Sequence, residues 1–197
     1  MGGFILQLKY YIFYDIIRIM LIAIETINEF HRMRTDAHVR CLNYFAGLLG
    51  YHFPEHDNDK NHGTMRIAYS YINYAKYHPE YNIPETNRHL YVQMRMEHHQ
   101  TQPHHLEYYT SASEISDTTL IEMLCDWHSA NFEQRYITRE DPKDYSVLQF
   151  FEQELKDNLK YTWSEHQLEI IYDTIEFLNM YTNHDEVMKI WIPLLNS

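Results

Sequence analysis

The part of the sequence that could carry chemistry is a run of twelve residues from Glu97 to Tyr108, Glu-His-His-Gln-Thr-Gln-Pro-His-His-Leu-Glu-Tyr. Neutral imidazole nitrogen is the commonest protein metal ligand, and carboxylates complete sites with several ligands. Two further fragments could supply the rest of such a site: His-Asp-Asn-Asp-Lys at residues 56–60 and Glu-Met-Leu-Cys-Asp-Trp at residues 122–127. Together the three fragments predict a metal-centred hydrolase site that is assembled from separate helices.

The composition predicts the kind of fold that must position these residues. A chain of 197 residues is long enough for one domain with a buried core. Only 5 Gly and 6 Pro, with 45% hydrophobic residues, favour a compact all-α protein, and apolar residues recur at helical spacing. We expect one domain over residues 1–197, with an N-terminal helix at about 4–31, a metal-binding core at about 35–135 and a C-terminal helical scaffold at about 141–195.

Charge and cysteine content narrow the functional class. The formal net charge of −12 argues against general nucleic-acid binding, which requires a basic surface. An acidic protein can still act on a phosphorylated small molecule if bound metal ions supply local positive charge. Cys41 and Cys125 lie far apart and do not indicate a disulfide framework, so the sequence favours a reducing cytoplasm.

The apolar run from Phe4 to Ile27 is interrupted by charged residues at positions 9, 15, 18 and 25. No uncharged stretch approaches the roughly 20 residues that a membrane-spanning helix needs, so we expect no membrane span. A buried or oligomer-forming amphipathic helix is favoured over a helix on a membrane surface, and a homodimer is one possible arrangement.

The next helix should position the first candidate ligand. It is predicted to start near Thr35 as N-cap and to end around Gly47 to Gly50. His38 recurs at helical spacing with Leu42 and Phe45, so it should face the interior, either as a ligand or as a core histidine bonded to a backbone carbonyl.

His56 and Asp57 follow a loop. Adjacent residues of a regular helix point about 100° apart, so both could reach metal ions only at a helix start or an irregular turn. The alternative is that Asp57, Asn58 and Asp59 only cap the helix predicted at about residues 62–78.

A helix beginning near Thr86 carries His98 on the same face as Leu90 and Met94, and it should stop before Pro103. His104 and His105 then lie in the turn beyond it. We interpret His98, His104 and His105 as metal ligands, and His99 as part of a histidine-rich surface loop.

The helix predicted from Ser116 or Asp117 to about Arg135 carries Glu122, Asp126 and Ser129 on a strip beside its core face. Carboxylates there would be paired or bound to metal, or they would form a solvated helix edge. Further helices are predicted from Asp141-Pro142 to about Tyr161, and from a capping box at residues 164–167 to about Tyr181.

The ordered set of His38, His56-Asp57, the three histidines at 98, 104 and 105, and Asp126 resembles the HD-domain superfamily of metal-dependent phosphohydrolases. The resemblance covers roughly residues 35–135 and implies an HD-like helical bundle with extra N- and C-terminal helices. The spacing of the three fragments is more closely similar to a poorly characterised, phage-associated HD-like family of unknown function. No Gly-Tyr-Pro follows His104-His105, which argues against a cyclic-dinucleotide phosphodiesterase.

The resemblance implies one or two divalent transition metal ions, namely Mn, Fe, Ni, Co or Zn, with Mg as a further possibility. One ion would be held by His38, His56, Asp57 and Asp126. The second would be held by His98, His104 and His105, with Asp57 bridging.

The resemblance also assigns roles to the neighbouring residues. Asp57 and Lys60 would be catalytic, with Lys60 near the substrate phosphate, unless it is only a surface lysine. Glu107 could orient a histidine, Tyr108 could pack against the substrate or the core, and Glu122 could orient a ligand, contact the substrate or remain solvated.

Three functions are compatible with these residues. The first is hydrolysis of a phosphomonoester or phosphodiester in a nucleotide or related small molecule, in the cytoplasm, or in the host cytoplasm if the protein is phage-encoded. The second is oxygen activation by a di-iron centre, since some HD-fold proteins hold one. The third is nucleotide binding or sequestration without catalysis, with the metal in a structural role.

Overall fold

The computed structural model describes residues 2–140, 145–158 and 160–196, with side chains from residue 23 onward. Within these residues the fold is all-α, as predicted, and no strand occurs. The helices are α1 (Gly2–Leu48), α2 (Gly63–Tyr77), α3 (Glu85–Thr101), α4 (Asp117–Phe132), α5 (Val147–Phe150), α6 (Glu165–Tyr181) and α7 (His184–Leu195). Short 3-10 turns occur at Asn58–Asn61, Leu106–Tyr108 and Ala112–Glu114, and π turns at Glu133–Ile137 and Phe151–Leu155.

The prediction of two separate N-terminal helices is wrong. Helix α1 runs from Gly2 to Leu48 without a break, and Thr35 lies in its interior rather than at an N-cap. The Thr35 side chain is buried and its hydroxyl has no hydrogen-bond partner, so it caps nothing. Residues 31–37 contain no glycine or proline, and therefore nothing in their backbone chemistry ends the helix.

Helices α2, α3 and α4 lie where they were predicted. Helix α3 ends at Thr101, two residues before Pro103. Helix α4 is capped by Ser116, whose hydroxyl accepts a hydrogen bond of 3.2 Å from the Thr119 backbone N–H. This bond satisfies one of the backbone N–H groups that a helix start leaves without a partner.

The C-terminal half is only partly as predicted. The proposed helix start at Asp141 lies outside the described residues, and α5 begins at Val147 behind a capping box formed by Ser146 and Gln149. Helical structure ends at Leu155 rather than near Tyr161. The capping box at Ser164 is confirmed, and α6 ends at Tyr181 as expected.

Helix α4 lies between two clusters of buried apolar side chains. On one side, Cys125 and Phe132 pack with residues of α1, α6 and α7, including the fully buried Trp191. On the other side, α4 packs on residues from the second half of the chain, and the buried members of that cluster are Leu106, Ala112, Ile115, Leu120, Met123, Leu124, Val147, Phe151, Tyr161, Trp163, Ile171 and Ile175. Each fully buried large apolar side chain contributes about 1.5–3 kcal/mol, so α4 is held firmly at the centre.

A buried ion pair ties α1 and α2 to the end of α4. Arg34 of α1 donates from both Nε and Nη2 to the two carboxylate oxygens of Glu133, with the Nε–Oε1 distance at 2.8 Å. The Tyr77 hydroxyl of α2 donates to the same Oε1 at 2.8 Å. Although burial opposes ionisation, the Arg34 charge lowers the pKa of Glu133 to about 2. The network fixes how α1 lies against α4.

Two further expectations concern cysteines and membranes. Cys41 and Cys125 are both buried and unpaired by any disulfide. Among the described residues, no helix combines the length and apolar character that crossing a membrane requires.

Candidate metal centre

The first ligand position is His38 on α1, which faces Asp126 and Ser129 of α4. The Ser129 hydroxyl lies 3.0 Å from His38 Nδ1 and 3.1 Å from the His38 carbonyl oxygen. A carbonyl can only accept, so both contacts are satisfied together when the hydroxyl donates to the carbonyl and Nδ1–H donates to the hydroxyl. In a neutral ring this leaves the lone pair on Nε2, which lies 2.9 Å from Asp126 Oδ1. Two facing lone pairs repel, and either a proton or a metal ion shared between these atoms removes the repulsion.

His56 and Asp57 both point inward because the backbone is irregular between them. Asp57 adopts the left-handed conformation, with φ of 59° and ψ of 13°, which few residues other than glycine, asparagine and aspartate tolerate. The side chains of both residues are only 1% exposed. Strained backbone of this kind is concentrated at functional sites, and here it presents two adjacent donor groups to one interior space.

His56 is oriented by Glu122 of α4. Its Nδ1 lies 3.0 Å from Glu122 Oε1, so Nδ1–H donates to the carboxylate, and in the neutral ring the lone pair is on Nε2. Nε2 in turn lies 3.6 Å from Asp126 Oδ1 and 3.9 Å from Asp57 Oδ1. The structure therefore places Glu122 against a ligand histidine rather than in a purely solvated position.

The second group surrounds Oδ1 of Asp57. His98, in the last turn of α3, donates from Nδ1 to Asp59 Oδ2 at 2.8 Å, and its Nε2 lies 3.2 Å from Asp57 Oδ1. His104 Nε2 lies 3.5 Å from the same oxygen, and the rings of His104 and His105 have centroids 4.5 Å apart. A ligand histidine that donates its other N–H to a carboxylate is the usual arrangement at metal sites.

Several atoms of this region that could bind a metal ion are buried without any hydrogen-bond partner: His56 Nε2, His98 Nε2, His104 Nε2, His105 Nε2 and Asp57 Oδ1. Buried polar atoms are almost always paired, because an unpaired one costs free energy. At metal–nitrogen distances of about 2.0–2.1 Å, two ligand atoms of one ion lie roughly 3.0–3.4 Å apart. The separations of 2.9–3.6 Å around Asp57 and Asp126 are close to that spacing, so the donor set fits metal ions.

Among the described residues, the possible ligand atoms form four groups, each confined within 4.8 Å. Two of them contain the predicted ligands: His38, His56 and Asp126 form the first group, and Asp57, His98, His104 and His105 form the second. The other two combine His56, His104 and Glu122, and His99, His105 and Glu107. Asp57 lies between the first two groups, since its Oδ1 faces the second group and its Oδ2 lies 3.8 Å from His38 Nε2. The structure thus brings the seven residues predicted as ligands together around Asp57.

The electrostatics of the protein without metal indicate a site that requires positive charge. Burial alone would lower the pKa of His56, but the Asp57 charge and the contacts with Asp126 and Glu122 raise it to about 10. Burial would raise the pKa of Asp57 and Asp126, yet neighbouring cationic and histidine groups hold both well below their usual range. Burial lowers the pKa of His105 to about 2, so that this imidazole stays neutral as a metal ligand must.

Lys60 is an interior residue in this structure. Its ammonium group lies 2.7 Å from Asp57 Oδ2 and 5.0 Å from the centre of the Tyr69 ring, and its side chain is 12% exposed. Its carbonyl accepts a 2.9 Å hydrogen bond from His31 Nε2, and His31 Nδ1 accepts one of 2.9 Å from Asn73. The lysine thus balances part of the Asp57 charge, and a buried network fixes the turn that carries it.

The remaining candidates lie outside the two ligand groups. The rings of His99 and His105 stack with centroids 4.1 Å apart and planes only 7° apart, and with Glu107 they form one of the other groups of possible ligand atoms. Glu107 accepts from His99 Nδ1 at 3.1 Å and orients that ring instead of a ligand. Tyr108 is 47% exposed and packs against Tyr109, not in the core.

Asp59 and Ser129 have roles that the sequence did not assign. Asp59 had been considered only as a helix cap, but it orients His98 and also accepts from Gln102 Nε2 at 3.3 Å. Ser129 had been placed on the same helix strip as Asp126, without a function. Its position three residues after Asp126, on the face toward α1, was the signal that could have identified it.

Two cavities flank the ligand groups. One of about 670 Å³ lies against His56, and its lining combines the carboxylates of Glu25, Glu29 and Asp36 with the guanidinium groups of Arg32 and Arg66. The other, of about 530 Å³, is bordered by His104 and His105 of the second group. The volume of this second cavity is typical of small-molecule sites.

Comparison with known proteins gives one match. A family profile described as "Family of unknown function (DUF5662)" matches residues 16–186. This range includes both ligand groups and the residues that orient them. Neither the curated proteins nor the solved structures contain a match to the chain.

Proposed function

The chain belongs to the DUF5662 family of unknown function, and we propose that it is an HD-type, metal-dependent phosphohydrolase acting on a nucleotide or a related phosphorylated small molecule. One observation carries the proposal: two groups of His and Asp side chains meet at Asp57, and five of their nitrogen and oxygen atoms are buried without a hydrogen-bond partner. Two-ion sites of this kind are typical of enzymes that cleave phosphate esters.

The residues that would hold the ions have distinct tasks. His38, His56 and Asp126 would hold one ion and His98, His104 and His105 the other, with Asp57 between them. When bound, the ions would supply an activated water molecule and would neutralise charge on the phosphoryl oxygens. Without them, two buried carboxylates would repel an anionic substrate.

The surrounding residues fix protons and orientation. Ser129, Glu122 and Asp59 keep a proton on Nδ1 of His38, His56 and His98 respectively. The lone pair of each neutral ring is then on Nε2, which faces the interior and could bind a metal ion. Lys60 Nζ holds Asp57 Oδ2 in place, and the 530 Å³ cavity provides a partly enclosed volume next to His104 and His105.

The proposal is tested by phosphate release. Metal-free protein is reconstituted separately with Mn²⁺, Co²⁺, Ni²⁺, Zn²⁺, Fe²⁺ or Mg²⁺ and incubated with nucleoside monophosphates and with phosphodiesters. We expect phosphate or nucleoside release that depends on metal and is lost in Asp57→Asn but kept in His166→Ala, which removes an exposed histidine paired with Asp117. Full activity of Asp57→Asn, or no turnover with any metal and substrate tried, would contradict the proposal.

The richness of the site in imidazole supports a second candidate, a di-iron oxygenase. The two groups contain five histidines and only two aspartates, and imidazole is a good ligand for iron. Oxygen consumption coupled to substrate loss in iron-loaded protein, without phosphate release, would favour this function. A nucleotide that binds and is recovered unchanged after long incubation with each metal would instead favour a binding protein with a structural metal.

A further inference from the structure

The lining of the 530 Å³ cavity combines histidines with aromatic rings. His104 and His105 contribute to it, and so do the rings of Trp127, Phe150 and Tyr161. The polar groups of the lining include Arg95, His99, Glu107, Tyr145, Glu154 and Asn158. A cavity with stacking surfaces, a few hydrogen-bonding groups and a metal site at one side is suited to a molecule that has both a planar ring and a phosphate.

Trp127 is the best placed of these rings. It directly follows the ligand Asp126 on α4, and Phe150 holds it edge-to-face with ring centroids 5.4 Å apart and planes at 78°. Trp127 is partly buried against the second apolar cluster, and it also lines an adjoining cavity of about 180 Å³.

The other two tryptophans differ from Trp127 in both burial and surroundings. Trp191 is fully buried in the core. Trp163 is almost fully buried and donates from Nε1 to the Leu155 carbonyl oxygen at 3.1 Å. Neither lines the 530 Å³ cavity. Trp127 is therefore the tryptophan that a molecule bound there can contact.

We infer that Trp127 is the specificity-determining residue of this cavity, on which the heteroaromatic base of the substrate stacks while its phosphate faces the metal ligands. The phosphate is placed toward His104 and His105 because these two candidate metal ligands border the cavity. The amide of Asn158 can both donate to and accept from a base edge. The orientation of the phosphate rests on the proposed function, whereas the stacking of the base does not.

The first test compares two substrates that differ only in the base, a nucleoside 5′-monophosphate and ribose 5-phosphate. Base stacking on an aromatic side chain is worth about 1–3 kcal/mol, so the ratio of their kcat/KM values should fall roughly 5- to 150-fold in Trp127→Leu. Trp127→Phe keeps a ring and should recover part of the ratio. Tyr181→Leu removes an exposed aromatic side chain at the end of α6 and should leave the ratio as in the wild type.

The second test does not require turnover. A free nucleoside is titrated into chelator-treated protein while tryptophan emission is recorded, and binding is measured in parallel by calorimetry. We expect saturable quenching in the wild type and neither quenching nor comparable affinity in Trp127→Leu, where emission from Trp163 and Trp191 remains.

The outcomes separate the inference from the proposed function. Nucleoside binding that depends on Trp127, without any hydrolysis, would keep the stacking role and contradict the hydrolase. Hydrolysis with the same substrate ratio in Trp127→Leu as in the wild type would keep the hydrolase and overturn the stacking role. Quenching that survives in Trp127→Leu would also overturn it.

Discussion

Replacing Ser129 by alanine should weaken metal binding although Ser129 is not itself a ligand. The substitution removes the partner of His38 Nδ1, so the ring is free to rotate or to change tautomer. Loss of such an orienting group typically costs 10- to 100-fold in metal affinity, which corresponds to about 1.4–2.7 kcal/mol. The variant should also lose about 1–3 kcal/mol of stability without metal, because a buried nitrogen is left unpaired.

Ser70→Ala provides a matched control for this prediction. Ser70 is also fully buried in a helix, but its hydroxyl donates to the Ile67 carbonyl oxygen at 3.0 Å, away from the ligands. Zn²⁺ affinity is measured by competition with a chelating dye, and stability of the metal-free proteins by urea unfolding. Affinity should fall in Ser129→Ala only. An affinity within twofold of the wild type in Ser129→Ala would refute the argument that Ser129 fixes the His38 tautomer.

Three further predictions follow from the same geometry. Glu133→Gln should lower the free energy of unfolding by about 3–5 kcal/mol, since a buried guanidinium loses its counter-charge. Glu29→Gln at an exposed ion pair should leave the midpoint of urea unfolding unchanged. Equal midpoints for both variants would argue against the buried network. Zn²⁺ affinity should rise by up to about tenfold per pH unit below pH 10, because His56 has a pKa of about 10 and must release its proton to bind metal. The same Zn²⁺ affinity at pH 6 and at pH 8 would contradict this prediction. His98→Ala should lose metal from the second group, whereas His99→Ala should not. Elemental analysis of both variants measures the bound metal. Equal losses would mean that the His99 ring is also a ligand.

Local sequence patterns were sufficient to predict much of the fold and the helix faces on which the candidate ligands lie. The helical spacing of His38 with Leu42 and Phe45 predicted that His38 points inward. The spacing of His98 with Met94 predicted the same for His98. Ser164 identified a helix start because a capping box involves only neighbouring residues. These features depend on contacts within one or two turns, which a sequence records directly.

Features that depend on tertiary structure were not predictable in the same way. Helix α1 continues through Thr35, whose side chain is buried in the folded chain, while a threonine in sequence looks equally like an N-cap. The left-handed conformation of Asp57 could not be read from His-Asp alone. The pairing of Asp59 with His98 joins residues 39 positions apart, and it exists only because α3 returns to the turn after Asp57.

The metal content of the protein tests the central claim most directly. Protein purified without chelator, and protein reconstituted with transition metals, is analysed for bound elements in the wild type and in Asp57→Ala. The account predicts one or two equivalents of a divalent transition metal in the wild type and loss of metal in the variant, because Asp57 lies between both ligand groups. No bound metal in the wild type and no uptake on reconstitution would contradict the account, and the buried histidine cluster would then be structural.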